Sequence, residues 1–133
     1  AALRSQAVKY ARHQGIDLKF PQRPGVTDLA LGMLATWRGD PLPFITAAFK
    51  AYWEDHANLD DPKVVTSILR SLGHSGAVNP ETLAQALEAA LEAADEIGIV
   101  GAPGYLIDDQ IFIGREHLPW IEDMVIGTKT ASA

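Results

Sequence analysis

The chain has 133 residues, 47% of them apolar, a formal net charge of −6 and no cysteine. It is one domain's worth of sequence, too apolar for general disorder, and it carries neither a membrane-length apolar run nor the apolar stretch of a signal peptide near its start. Between Arg70 and Arg115 there is no Lys or Arg but there are seven acidic residues, so a phosphate backbone would be repelled and nucleic acid is not an expected partner.

In chain order, the spacing of Leu3, Ala7, Tyr10 and Ala11 predicts a first helix over about Ala2 to Gln14, stopped by Gly15. "IDLKFPQRPG" follows as an extended connector, because Pro21 and Pro24 disfavour helix. Thr27 or Asp28 can cap a second helix, "DLALGMLATWR", that ends at Gly39. A third starts after Asp40-Pro41. It sets Phe44, Ala48 and Tyr52 on one line and Ile45, Phe49 and Trp53 on the next. A fourth is framed by Asp61 as N-cap, Pro62 at the first helical position and Gly73 as stop. Asn79, Pro80 and Gly98 repeat that grammar around a fifth. Its stripe of Leu83, Leu87, Leu91, Ala94 and Ile97 leaves Glu88, Glu92, Asp95 and Glu96 on the solvated side.

The period then changes. "YLI" and "IFI" flank "DDQ" and read as a hairpin, with a last helix from about Arg115 to Ile126 and a frayed "GTKTASA" tail. Alternation would mark strands with one wet face, whereas continuous apolar runs predict strands covered on both. Two strands alone are marginal in water. The pattern therefore predicts further strands beyond these residues, upstream or on a partner, and a free edge suited to pairing between copies.

"VKYARHQGIDLKFP", "AAFKAYWEDHANLDDPKVV", "GIVGAPGYLI" and "FIGREHL", in this order, resemble the DsbA superfamily of thioredoxin-like proteins. The likeness is nearest to its 2-hydroxychromene-2-carboxylate isomerases and kappa-class glutathione transferases, and it spans nearly the whole chain. It implies an α/β, partial thioredoxin-like fold with an inserted all-helical domain, mostly helical plus a C-terminal β-hairpin. The family's N-terminal βαβ unit has no counterpart in the sequence. The expected parts are residues 1–24 as helix and connector of the thioredoxin-like domain, 25–78 as the helical insertion, and 79–133 as the returning helix, hairpin and helix. Arg115-Glu116-His117 stands where the family more usually has a small or polar residue, then Asp, then Arg.

By the same resemblance the expected cofactor is glutathione and the expected activity a glutathione-dependent isomerisation or transfer on small aromatic or electrophilic molecules. The expected setting is a homodimer in the cytoplasm. The family's reactive Ser, or the Cys-x-x-Cys of the disulfide oxidoreductases, lies in the unmatched segment, so no catalytic residue is assigned here. A DsbA-like thiol–disulfide oxidoreductase and a catalytically silent binding fragment are the alternatives. Ala102 and Pro103 are the first binding candidates: the resemblance implies a cis proline, with the preceding residue's main chain free to pair with a peptide-like ligand. The segment Gly114-Arg115-Glu116 is the second, with Arg115 and Glu116 as a seat for the γ-glutamyl group at a helix start, although an acid there equally suits a helix's first turn.

The remaining candidates read as structural. His13, His56, His74 and His117 lack close ligand spacing, which argues against a metal. Trp37, Trp53, Trp120, Phe44, Phe49 and Tyr52 read first as core packing and second as the wall of an aromatic substrate pocket between the helical domain and the sheet. Asp60-Asp61 and Asp108-Asp109 read as a cap and a turn.

Overall fold

The computed structural model describes residues 2–21, 25–76 and 78–127. In order they form α1 (Ala2–His13), α2 (Asp28–Ala35), α3 (Leu42–Trp53), α4 (Pro62–Ser71), α5 (Pro80–Glu96), β1 (Gly104–Ile107), β2 (Gln110–Ile113), a single 3₁₀ turn (Arg115–His117) and α6 (Leu118–Ile126). Residues 22–24 of the expected connector and 128–133 of the expected tail lie outside the described residues. Contacts divide the chain into two compact units, Ala1–Glu88 and Ala89–Ala133.

Helix starts follow the capping residues. The Asp61 carboxylate accepts the Lys63 N–H at 2.8 Å, and Pro62 occupies the first turn, where its missing N–H costs no helical bond. The Asn79 side chain likewise accepts from the N–H groups of Glu81 and Thr82, at 3.1 and 3.3 Å. The stops form as read: Gly73 and Gly98 have φ of +82° and +85°, and the residues after them reach back to the Leu69 and Ala94 carbonyls.

The second helix ends a turn sooner than its apolar pattern predicts. The Thr36 hydroxyl bonds the Met33 carbonyl at 2.9 Å, a local alternative to the helical ladder. Trp37 then turns aside, its indole N–H bonded to the Asp40 carbonyl at 2.9 Å and its ring stacked on Phe44 at 5.0 Å. The last helix starts later than predicted. An α-helix from Arg115 would need the N–H of residue 119 to reach the Arg115 carbonyl, and Pro119 has none. Leu118 N–H donates to the Arg115 carbonyl instead, closing a 3₁₀ turn before α6 begins.

In the first unit the core is Leu29, Ala30, Phe44, Ala48, Leu59, Val65, Ile68, Leu69 and Leu83, from α2 to the start of α5. α2 and α5 approach so closely that a Cβ on Gly32 would collide with the Leu83 carbonyl oxygen. Glycine is required there by space alone. On α3, Phe44 and Ala48 are buried as the first predicted line, but Phe49 on the second is 63% exposed. The α5 stripe is buried at Leu83 and uncovered at Leu91 and Ile97, which are 58% and 44% exposed.

In the second unit β1 and β2 pair antiparallel, with Tyr105 opposite Phe112 and Leu106 opposite Ile111. Asp108 and Asp109 make the turn with φ of +46° and +63°, the backbone a two-residue hairpin favours. Among the described residues one face of the hairpin is covered, and the second cover that the apolar runs predict was expected from strands outside these residues. Phe112 is buried with its ring 5.5 Å from Trp120 of α6, whereas Leu106 and Ile111 are 46% and 40% exposed. On that side the segment before β1 gives partial cover, with Gly98 and Gly101 close to the Ile111 and Ile113 side chains.

Candidate functional site

The loop "GAPG" enters β1 under tight spacing. A Cβ on Gly101 would lie 3.0 Å from Ile113 Cγ2, and one on Gly104 would lie 2.6 Å from Ile99 Cγ2, so these two positions are tight for a side chain. Between these two glycines, the Ala102–Pro103 peptide bond is cis. Ala102 and Pro103 are both exposed. Among the described residues neither the N–H nor the C=O of Ala102 has a hydrogen-bond partner, while the Pro103 carbonyl accepts the Gly114 N–H at 2.9 Å.

That last bond brings the two predicted segments together. Gly114 ends β2 with φ +102° and ψ 158°, a conformation nearly confined to glycine, and it delivers the chain into the Arg115–His117 turn. Arg115 and Glu116 are exposed there. The Glu116 carboxylate folds back against Gly114, where a Cβ would collide with it, and also lies 4.0 Å from His117 Nε2. It is therefore a first-turn acid with its side chain still 69% open to solvent. Gly114 was read from the sequence as the start of the Gly114-Arg115-Glu116 segment, and a glycine between an apolar strand and a helix start is the signal for such a conformation.

The aromatic candidates separate. Phe44, Phe49, Tyr52 and Trp53 line one cavity in the first unit, together with Leu31 and Leu34 of α2, which sequence reasoning had not singled out. Trp37 stacks behind Phe44, and Trp120 belongs to the second unit beside Phe112. His74 sits edge-on to Trp37 at 4.9 Å, and His117 is 5.8 Å from the Phe112 ring. Among the described residues no group of three or more His, Asp or Glu is placed to hold a metal, and no helix is long and apolar enough to cross a membrane.

The hairpin is entered through a cis-proline loop and followed at once by a helix, with a helical unit before it in sequence. Residues 2–125 match the model of the DsbA-like thioredoxin domain, and the chain belongs to that family. Its fold is thioredoxin-like, mostly helical with a small two-stranded antiparallel sheet. Among solved structures it resembles a 2-hydroxychromene-2-carboxylate isomerase, with a TM-score of 0.60 and 20% sequence identity over 96% of this chain. The chain spans 65% of that isomerase's length. No curated protein matches it.

Proposed function

We propose that this chain carries the glutathione-holding part of a glutathione-dependent isomerase or transferase. It would act in the cytoplasm, as a homodimer, on small aromatic or electrophilic compounds. The supporting observation is the juxtaposition of Ala102, exposed with both main-chain groups unpaired, and the Arg115–Glu116 turn, held to the same loop by Gly114 N–H to Pro103 C=O at 2.9 Å. A peptide-like ligand laid along Ala102 exchanges two hydrogen bonds with main chain, which is how strand addition gives affinity without a particular side chain. The cysteinyl residue of glutathione has the N–H and C=O for that exchange.

Arg115 offers a guanidinium for the γ-glutamyl carboxylate, and Glu116 an acceptor for its ammonium once the side chain swings off Gly114. Because the turn is 3₁₀ and only three residues long, these side chains rather than a helix dipole carry the recognition. Bound glutathione supplies a thiol that adds to an electrophilic substrate and leaves again. The residues of this chain bind and orient it, and none of them is assigned the reacting group.

Titration of the full chain with S-methylglutathione, followed by amide chemical shifts, tests the reading. Shifts should concentrate at Ala102, Arg115 and Glu116, and Glu116→Gln should weaken binding about tenfold, the loss of one charge-assisted hydrogen bond. Shifts elsewhere, or none at saturating ligand, would overturn it. Shifts with an extended peptide alone would move the assignment to disulfide exchange.

A further inference from the structure

These residues contain no cysteine and two methionines, Met33 and Met124, so their sulfur chemistry is that of thioethers. Met33 lies near the end of α2, half-buried, and packs against the core of the first unit. It also lines an open depression of about 460 Å³ together with Trp37, Leu69 and His74. Its sulfur is 3.9 Å from the hydroxyl oxygen of Thr36, three residues on. The same hydroxyl donates to the Met33 carbonyl at 2.9 Å. One proton therefore serves two acceptors of a single residue, and the carbonyl holds it because a thioether is the weaker acceptor.

We propose that Met33 is a modification site, taking one oxygen from hydrogen peroxide to give a sulfoxide that Thr36 holds. A sulfur lone pair attacks one peroxide oxygen, and the S–O bond forms as the O–O bond breaks. The departing hydroxide removes the proton from the transferred oxygen and leaves as water. Sulfur is oxidised and peroxide reduced, so no other reactant is needed. The geometry suits the product. An oxygen bonded to the sulfur and accepting the Thr36 O–H at about 2.7–2.8 Å, with a bend at that oxygen, spans the present gap of 3.9 Å. The Thr36 hydroxyl then turns its proton from the carbonyl to the sulfoxide oxygen. The carbonyl keeps the Thr36 N–H at 3.2 Å, so it is not left bare. During transfer the same hydroxyl donates to the oxygen on which charge builds. It also makes the two lone pairs of the sulfur unequal, and one sulfoxide epimer is favoured. All of these groups belong to the Ala1–Glu88 unit and none to the Ala102–Glu116 segment, so the site is independent of glutathione binding.

The test is a time course of the full chain in hydrogen peroxide, followed by peptide mass mapping. The two epimers of the Met33 sulfoxide are told apart in the digest with reductases that each accept one of them. Met33 should gain one oxygen while the circular dichroism stays native, with one epimer in at least about threefold excess. The same reaction in denaturant should give nearly equal epimers. Thr36→Val should slow Met33 about threefold to tenfold, the worth of one hydrogen bond, and erase the excess, with Met124 oxidised at its parent rate. Thr36→Ser keeps a hydroxyl and should restore both. The proposal is overturned by equal epimers in the folded parent, or by a Thr36→Val protein that matches the parent in rate and ratio. It is also overturned if Met33 is intact once Met124 is fully oxidised. If Thr36→Val does not fold, the comparison of folded with denatured parent decides alone.

Discussion

Gly114 and Pro103, eleven residues apart in sequence, are tied by one main-chain hydrogen bond of 2.9 Å, from the Gly114 N–H to the Pro103 carbonyl. The bond continues the ladder one step past the Gly104–Ile113 pair and fixes the loop before the hairpin to the turn after it.

Gly114→Ala should therefore be costly at a position with an exposed neighbourhood. The backbone angles there are nearly glycine-only, and an added Cβ would drive Glu116 off its position. A loss of about 1–3 kcal/mol is expected, read as a lower denaturation midpoint, with amide shifts concentrated at Arg115 and Glu116.

Gly32→Ala tests a different constraint. Gly32 is an ordinary helical residue, so alanine would raise intrinsic helix propensity, yet its Cβ would meet the Leu83 carbonyl of α5. Overpacking against backbone should win, with destabilisation of about 1–3 kcal/mol in urea unfolding and no gain from propensity.

Asp61→Ala should cost about 1 kcal/mol by removing the acceptor of the Lys63 N–H, and Asp61→Asn should restore most of it. Thermal unfolding of the two variants side by side separates the cap from the charge.

Phe44 and Phe49 lie on the same helix and part ways in burial, 2% against 63% exposed. Phe44→Ala should cost about 3–5 kcal/mol through the cavity it leaves and the lost Trp37 stack, whereas Phe49→Ala should stay within about 0.5 kcal/mol. Equal effects in chemical unfolding would contradict the burial pattern.

The proposed homodimer has a readable consequence at the open side of the hairpin. Leu106 and Ile111 face each other across the strands there, and both are partly exposed. If copies associate through this side, Leu106→Lys with Ile111→Lys should shift sedimentation to the monomer while leaving the circular dichroism intact. A dimer that persists in the double variant places the contact elsewhere.

What could be read in the sequence was what neighbours in sequence decide. Asp61-Pro62 and Asn79-Pro80 mark helix starts because cap and proline act within one turn. Pro119 carried the late start of α6 equally locally, but only if the helical bond to Arg115 is counted. The end of α2 was hidden because Thr36 chose its own carbonyl partner and Trp37 was drawn to Phe44, a contact the spacing of either residue alone does not announce. Burial was the least legible. The α5 stripe is uniform in sequence, yet it is covered at Leu83 and open at Leu91, and only packing partners distant in sequence make that difference. The candidate residues Ala102, Pro103, Arg115 and Glu116 came from resemblance to a family, whereas the bond from Gly114 to Pro103 that joins them could be found only in three dimensions.

The Asp108–Asp109 turn gives the hairpin a direction of opening. Both residues hold left-handed backbone angles that glycine or asparagine would adopt more easily, and both bring negative charge to one tip. The opposite end is latched by the Gly114–Pro103 bond. Unzipping therefore begins at the tip and travels toward Gly104, and the main chain around Ala102 is the last to let go.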